Sequence, residues 1–281
     1  MDTDTKANRT YKDSVFTLLF GEKDKLIELY NAIFNAHYGL DTNIEITTLQ
    51  NILFMGKLND ISFVIDGKLI VLIEHQSTIN KNMCLRMLLY IARLYEKICD
   101  SETLYRTEQI TIPRPEFIVL YNGKDEMPDE QILKLSDMFA EYGEKNPIEL
   151  ELAVKVYNIN NGRNPQMAQR SVTLTGYELF IAKVREFEKE NNTREEAISK
   201  AITYCIERNI LVSFLKTHGR EVLNMLLTEW KFEDALRVRE QEGRRAEKIK
   251  FAQKMKDKGT PVNEIAELTE LTVDEILKYC K

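Results

Sequence analysis

The 281-residue sequence has few of the features that mark membrane or secreted proteins. No stretch reaches the roughly 18 uninterrupted apolar residues that a membrane span requires. The start, MDTDTKANRTYKD, is polar and contains no apolar signal segment. No tract rich in Pro, Gly or Ser indicates disorder, and 43% of the residues are hydrophobic. We therefore expect a cytoplasmic globular protein.

Cysteine and histidine are also scarce. The cysteines are too far apart for a CxxC ligand pair and too few for a disulfide scaffold, so we expect reduced thiols. They are Cys84, Cys99, Cys205 and Cys280. The histidines are scattered, which favours structural roles over a zinc site. They are His37, His75 and His218.

The sequence lacks the positive net charge of a protein that coats nucleic acid, because its formal charge is −6. One segment differs from the rest of the chain. Residues 237–258 contain nine Lys or Arg against four Asp or Glu, a net charge of +5. A solvated helix face is the favoured interpretation, and the functional hypothesis is that this basic segment aids DNA affinity without affecting catalysis.

Hydrophobic periodicity predicts a mixed α/β protein. Helical spacing over residues 11–37, interrupted at Gly21, indicates two helices, and a longer helix is predicted at about 80–99. After Tyr177 the pattern is almost wholly helical. The predicted strands are 51–55, 58–65, 69–76, 116–121 and 148–158. We expect a mixed central β-sheet flanked by helices, with a helical C-terminal half.

The strongest strand pair, LNDISFVIDGKLIVLIEHQS at residues 58–77, contains unexpected polar residues. A two-residue Asp-Gly loop would send Asp60 and Glu74 to opposite faces of the sheet. A three-residue loop, with Gly67 or Lys68 in the left-handed conformation, would place them directly across from each other, roughly 5 Å apart at Cβ. Gln76 would follow on the same face, and His75 would point to the other face.

Two carboxylates in that arrangement would repel each other unless a cation held them. Oxygen ligands favour a hard ion such as Mg²⁺ or Mn²⁺. The three-residue register therefore predicts metal-assisted attack of water on a phosphodiester. The alternative is that Asp60 and Glu74 lie in solvent at the sheet ends, paired with Arg86 or Lys57.

The order Asn59-Asp60, hairpin, Glu74-His75-Gln76 resembles the core of the PD-(D/E)XK nuclease superfamily, with Gln76 in place of the usual lysine. Three further segments are similar to the Rpn family of recombination-promoting nucleases and putative transposases, in which this glutamine is the usual form. They are YKDSVFTLLFGEKD, LIEHQS followed by a helix with RMLLYIARLYE, and PEFIVLYNGKD. The resemblance covers roughly residues 10–235.

The resemblance implies an endonuclease that hydrolyses double-stranded DNA with Mg²⁺, or Mn²⁺ as a substitute, in recombination or mobile-element biology. Asp60 and Glu74 would hold the metal, the backbone carbonyl of His75 would complete its shell, and Asp13 is a further candidate ligand. Gln76 would orient the attacking water or help to hold the metal. Because an amide supplies no positive charge, more of the phosphate stabilisation would come from the metal and Arg86.

Other functions stay open on the sequence. Arg86 and Tyr90, four residues apart on the helix after the site, are candidate contacts to a DNA phosphate, although roles in covering the core are equally expected. The acidic net charge keeps open a catalytically weak DNA-binding or assembly protein that retains the nuclease fold. A third possibility is a metal-independent interaction module with solvated acids.

Three divisions of the chain are expected: a nuclease core at 9–165, a helical part packed on it at 166–236, and a tail at 237–281. Thr260 and Thr272 are predicted N-caps of two short helices in the tail. Residues 262–281 contain five acidic residues against two lysines, and Glu270 occupies the turn where family tails often have glycine. We therefore expect this hairpin to mediate protein interaction or homo-oligomerisation rather than DNA entry.

Overall fold

The computed structural model describes residues 14–47, 61–99, 102–140 and 148–280. The chain forms two compact units, which meet in sequence between Met225 and Leu226, inside a long helix at Val212–Asp257 (α7). No helix within the described ranges is both long enough and apolar enough to cross a membrane. The predicted strand at 51–55 lies outside the described residues.

The first unit begins with the two helices that the sequence predicts, α1 (Val15–Phe20) and α2 (Lys23–Phe34). Ser14 caps α1, because its hydroxyl accepts a hydrogen bond from the Thr17 backbone N–H at 3.1 Å. A Cβ at Gly21 would lie 2.8 Å from the Thr17 carbonyl oxygen, so the interruption depends on glycine. The prediction of two helices separated at Gly21 is confirmed.

A six-stranded mixed sheet follows, with the order β1-β2-β3-β4-β6-β5. The central strands β3, β4 and β6 run parallel, and the other neighbours are antiparallel. The strand bounds are β1 Ile44–Ile46, β2 Ile61–Ile65, β3 Leu69–Gln76, β4 Arg114–Tyr121, β5 Glu130–Lys134 and β6 Ala153–Asn158. The sequence pattern misses β1, which has only three residues, and β5, whose residues are mostly exposed.

The turn between β2 and β3 has the three-residue loop. Asp66 and Gly67 have φ values of +49° and +66°, so the expected left-handed glycine is accompanied by a left-handed aspartate. The pairing runs from Ile65 opposite Leu69 to Ile61 opposite Ile73. This is the register that the three-residue alternative predicts, and the two-residue alternative is wrong.

Helices cover both faces of the sheet. The helix α3 (Met83–Ile98) packs on the face that carries Ile70 and Leu72 of β3. On the other face, α1 and α5 (Val172–Lys189) contact His75 through aromatic rings. The mixed α/β class with flanking helices is confirmed. Short 3₁₀ helices lie at Thr103–Tyr105 and Leu135–Met138, and the remaining α-helices of this unit are α4 (Pro165–Gln169) and α6 (Arg194–Glu207).

One half-buried carboxylate, that of Glu28, ties α2 to the start of α5. Glu28 accepts hydrogen bonds from the Ser171 hydroxyl at 2.7 Å and from the Thr173 backbone N–H at 2.8 Å and hydroxyl at 2.7 Å. Burial opposes ionisation, but these bonds lower the pKa of Glu28 overall. The carboxylate therefore acts as an N-terminal cap supplied by another helix.

The second unit combines the C-terminal part of α7 with α8 (Val262–Thr269) and α9 (Val273–Tyr279). Its core contains Ala252, Ile265, Leu271, Ile276 and Cys280. Thr272 caps α9 through a capping box, as predicted, whereas Thr260 is not the cap of α8, because Pro261 occupies the N-cap position. Glu270 adopts the left-handed turn conformation, with φ of +57°.

Ion pairs in this unit join the basic segment to the acidic hairpin. Arg245 donates to Glu275 at 2.6 Å, and Lys248 forms a close pair with Glu270. Part of the positive charge of residues 237–258 is therefore balanced within the unit.

Candidate active site

The residues that the sequence singles out lie at the carboxyl end of β3. Glu74 and Gln76 continue the row of Ile70 and Leu72, so their side chains share the α3 face of the sheet. The intervening His75 contacts Phe16 and Tyr177 on the opposite face, as strand alternation predicts. The structure therefore brings together Glu74, Gln76 and the first turns of α3.

Glu74 is buried and paired with an arginine of α3. Glu74 is only 3% exposed, and its Oε2 accepts a hydrogen bond from Arg86 Nη2 at 2.9 Å. Arg86 is 8% exposed, and its Nη2 also lies 3.0 Å from the Tyr90 hydroxyl. The guanidinium supplies a cation to the buried carboxylate and fixes its orientation.

Gln76 meets this pair at a methionine. Its amide nitrogen lies 2.9 Å from Met83 Sδ, and Arg86 Nη1 lies 3.4 Å from the same sulfur. A thioether is a weak acceptor, so the contact orients the glutamine without strongly polarising it. Glu74, Gln76 and Arg86 thus form one cluster, with Met83 between the last two.

Arg86 and Tyr90 lie largely inside the molecule. The exposed fraction of Tyr90 is 5%, and that of Arg86 is similarly small, so contact with a DNA phosphate would depend on the parts of both side chains that reach solvent. Their proposed phosphate contacts stay a prediction. The described contacts fit the alternative role, in which both residues cover and organise the core.

The side chain of His75 has a structural role. Its ring stacks on Phe16 with 4.7 Å between centroids, and its Nε2 lies 3.0 Å from the Tyr177 hydroxyl. Burial, with a smaller contribution from the Arg185 cation, lowers the pKa of His75 to about 3. The imidazole is therefore neutral at physiological pH.

The backbone of His75 is directed differently from its ring. The Gln76 carbonyl accepts a hydrogen bond from the Asn122 N–H at 2.9 Å, on the β4 side of the strand. Because successive residues of a strand direct their backbone groups to alternate neighbours, the His75 carbonyl faces the β2 side. A metal ion held by a residue on the β2 side of β3 would therefore lie on the same side as the His75 carbonyl.

Several predicted site residues lie outside the described part of the chain: Asp13, Lys57 and Asp60. Pairing with β3 is described as far as Ile61, and the facing of Asp60 with Glu74 stays a prediction from the register. Within the described ranges, no three His, Cys, Asp or Glu side chains come together as a metal-binding group.

A polar network that the sequence reasoning missed occupies the ends of β4 and β6. Asn160 Nδ2 donates to the Gly123 carbonyl at 3.1 Å and to Asn158 Oδ1 at 2.9 Å. Arg185 of α5 donates to Asn160 Oδ1 at 2.6 Å and closely to the Asn122 carbonyl. The available sequence signal is the run NINNGRN at 158–164, with one asparagine at the end of a strand and three directly after it.

Glu178 is a second buried acid that the sequence reasoning missed. It follows Tyr177 on α5, is 4% exposed, and its Oε1 has no hydrogen-bond partner within the described structure. Burial raises the pKa of Glu178 to about 8. The carboxyl is therefore largely protonated at neutral pH.

The raised pKa predicts a pH-dependent stability. The folded state favours the protonated form of Glu178. The contribution of this preference to the free energy of unfolding is therefore fully present below the ordinary pKa of 4.5, and it is lost as the pH rises to about 8. Each pH unit in this window should cost up to about 1.4 kcal/mol. We expect the Glu178→Gln variant to match the parent near pH 4.5 and to be more stable near pH 8, as measured by urea unfolding. Glu207→Gln, a change at an exposed position, is the control, and a stability difference that does not change with pH would contradict the prediction.

Comparison with known proteins gives one family. The family model described as "Putative transposase, YhgA-like" matches residues 50–200, a range that includes Glu74, Gln76, Arg86 and Arg185. The match agrees with the resemblance found on the sequence. No curated protein and no solved structure gives a significant match.

Proposed function

Because the chain belongs to the family of YhgA-like putative transposases, we propose that it is a metal-dependent endonuclease that hydrolyses phosphodiester bonds of double-stranded DNA in recombination or mobile-element biology. The observation that carries the proposal is the β2–β3 register, with Ile61 opposite Ile73. Continued by one residue, that register would set Asp60 across from the buried Glu74. Two acids and an amide would then share one face of the sheet, in an arrangement suited to phosphodiester chemistry.

The donor atoms suit a hard divalent cation. Asp60, Glu74 and the carbonyl of His75 would hold Mg²⁺ or Mn²⁺, with Asp13 as a further candidate, and all of these ligands are oxygen atoms. The neutral His75 imidazole lies on the other face, so the set contains no nitrogen that would favour zinc. When bound, the ion would neutralise phosphate charge and acidify water.

The protein's own residues would position the reactants. Arg86 holds one oxygen of Glu74, which fixes the carboxylate before substrate arrives. The Gln76 amide would orient the attacking water, whose oxygen forms the new bond to phosphorus as the bond to the leaving sugar oxygen breaks. Arg86 is paired with Glu74 and would add positive charge beside the phosphate.

Metal dependence tests the proposal. We expect the purified protein to nick supercoiled plasmid with Mg²⁺ or Mn²⁺ and to be inactive in EDTA. Ca²⁺ should bind but support cleavage poorly, because its looser coordination holds the water less tightly. Nicked and linear products would be quantified on agarose gels over time. Equal rates in EDTA and in Mg²⁺ would end the proposal.

A second candidate function is a catalytically weak DNA-binding or assembly protein that retains the fold. The Arg86–Glu74 pair favours it, because the arginine already supplies the cation that a buried carboxylate needs. DNA binding without nicking in any of the tested metal ions would support this alternative.

The basic segment is proposed to aid DNA affinity through its exposed side chains. Arg245 and Lys248 are paired with the acidic hairpin, whereas Lys250 and Lys254 are exposed and four residues apart, hence on one face of α7. The hairpin is proposed to serve protein contacts, including homo-oligomerisation. Lys250 and Lys254 are therefore the positions at which DNA affinity can be altered without breaking the hairpin's ion pairs.

A further inference from the structure

A second polar site lies near the carboxyl edge of the sheet. A pocket opens to solvent between the segment after β6 and the C-terminal half of α5. Its lining residues are Asn160, Asn161, Ala182, Arg185, Glu186 and Lys189. Carboxyl edges of parallel strands are common locations of ligand sites in α/β proteins.

Two neutral oxygen atoms accept hydrogen bonds from the arginine of this pocket. Arg185 donates to the side-chain oxygen of Asn160 at 2.6 Å and to the backbone carbonyl of Asn122. Asn160 is fixed in turn by its bonds to Gly123 and Asn158. The guanidinium is thus pre-oriented by the ends of β4 and β6, which lowers the entropic cost of binding an anion.

Lys189 adds a second positive charge to the pocket. Lys189 lies one helical turn after Arg185, is exposed, and forms no ion pair among the described residues. The single acid of the lining, Glu186, is bound to Lys183 at 2.7 Å, which offsets its charge. The pocket therefore presents positive charge together with the side-chain amide of Asn161, a combination that suits phosphate oxygens.

The pocket and the candidate active site lie at the same carboxyl edge of the sheet, although α5 and α3 cover opposite faces. Gln76 pairs with Tyr121, and Tyr121 pairs with Asn158, two residues before Asn160. Two strand spacings give about 10 Å between the β3 and β6 ends.

We propose that the Arg185–Lys189 pocket binds a backbone phosphodiester of the DNA duplex whose bond is cleaved at Glu74 and Gln76. The location of that bond rests on the proposed function, but phosphate binding in the pocket can be measured without cleavage. The contact would set the register of the duplex on the sheet edge and would carry no base specificity.

The test is duplex binding in EDTA, measured by fluorescence anisotropy from 50 to 300 mM salt. Losing one phosphate contact should lower the slope of log affinity against log salt by about 0.9 and weaken binding about eightfold at 0.1 M salt. We expect this for Lys189→Gln and a larger loss for Lys189→Glu. Lys216→Gln and Lys216→Glu are matched controls, because Lys216 is exposed, helical and outside the pocket. Both control variants should bind like the parent.

The outcomes separate the pocket from the proposed nuclease function. Any of three results would contradict phosphate binding in the pocket. Lys189→Glu could leave affinity and salt slope unchanged, the Lys216 controls could lose as much affinity as the Lys189 variants, or the parent could fail to bind the duplex. A loss of affinity confined to the Lys189 variants supports phosphate binding in the pocket, even if the parent does not nick plasmid in Mg²⁺. The absence of nicking would refute only the proposed nuclease activity. Arg185→Lys, which retains the charge but not the two-pronged hold on Asn160 and Asn122, should bind more weakly than the parent while unfolding at a similar temperature.

Discussion

Plasmid nicking by the Asp60→Ala variant should fall by at least about a hundredfold to a thousandfold, the range observed when one group that stabilises a transition state is removed. Under the proposed function, Asp60 supplies one of two carboxylates to the metal, and Ala supplies none. The rate would be measured from the conversion of supercoiled to nicked plasmid in Mg²⁺ at saturating DNA. Binding in EDTA should stay near that of the parent, because the variant loses a metal ligand and no phosphate contact.

The control for this loss is an acid on the same sheet. Glu45 on β1 is exposed, and Glu45→Ala makes a similar change of charge and size away from Glu74. It should nick at the parent rate. If Asp60→Ala also nicks at that rate while folded, the assignment of the metal site to the β2–β3 hairpin is wrong.

Replacing Arg86 with methionine should lower the free energy of unfolding by about 3–5 kcal/mol, as expected when one partner of a buried ion pair is removed. The hydrogen bond of 2.9 Å to Glu74 is lost, and this carboxyl group, which is only 3% exposed, loses the positive charge of the arginine. Urea unfolding monitored by circular dichroism would measure the change. The double variant Arg86→Met/Glu74→Gln should recover part of the loss, because the second change removes the buried charge.

An exposed pair on the same helix provides the comparison. Arg93 binds Glu96 at 2.8 Å, but their side chains are 52% and 63% exposed. Arg93→Met should therefore cost less than about 1 kcal/mol. Equal losses for Arg86→Met and Arg93→Met, or a double variant no more stable than Arg86→Met, would show that burial does not strengthen the Glu74 pair.

Much of the fold follows from local sequence signals. β3 begins with the apolar run LIVLI, and its predicted bounds of 69–76 are those observed. Gly21 separates two amphipathic helices, and Thr272 followed by Glu275 specifies a capping box; both depend on neighbours in sequence. The short, mostly exposed β1 and β5 carry no such pattern, because their strand conformation depends on pairing with distant segments.

The sequence by itself determined which residues of each hairpin strand share a face, because side chains alternate along any strand. The choice of register required the turn geometry at Asp66 and Gly67. Only the tertiary structure decided that Arg86 would neutralise Glu74, that Glu178 would be buried with a raised pKa, and that Arg185 would be held by Asn122 and Asn160. Each of these depends on contacts between groups at least 12 residues apart or on burial by the whole fold, and long-range packing sets these rather than local periodicity.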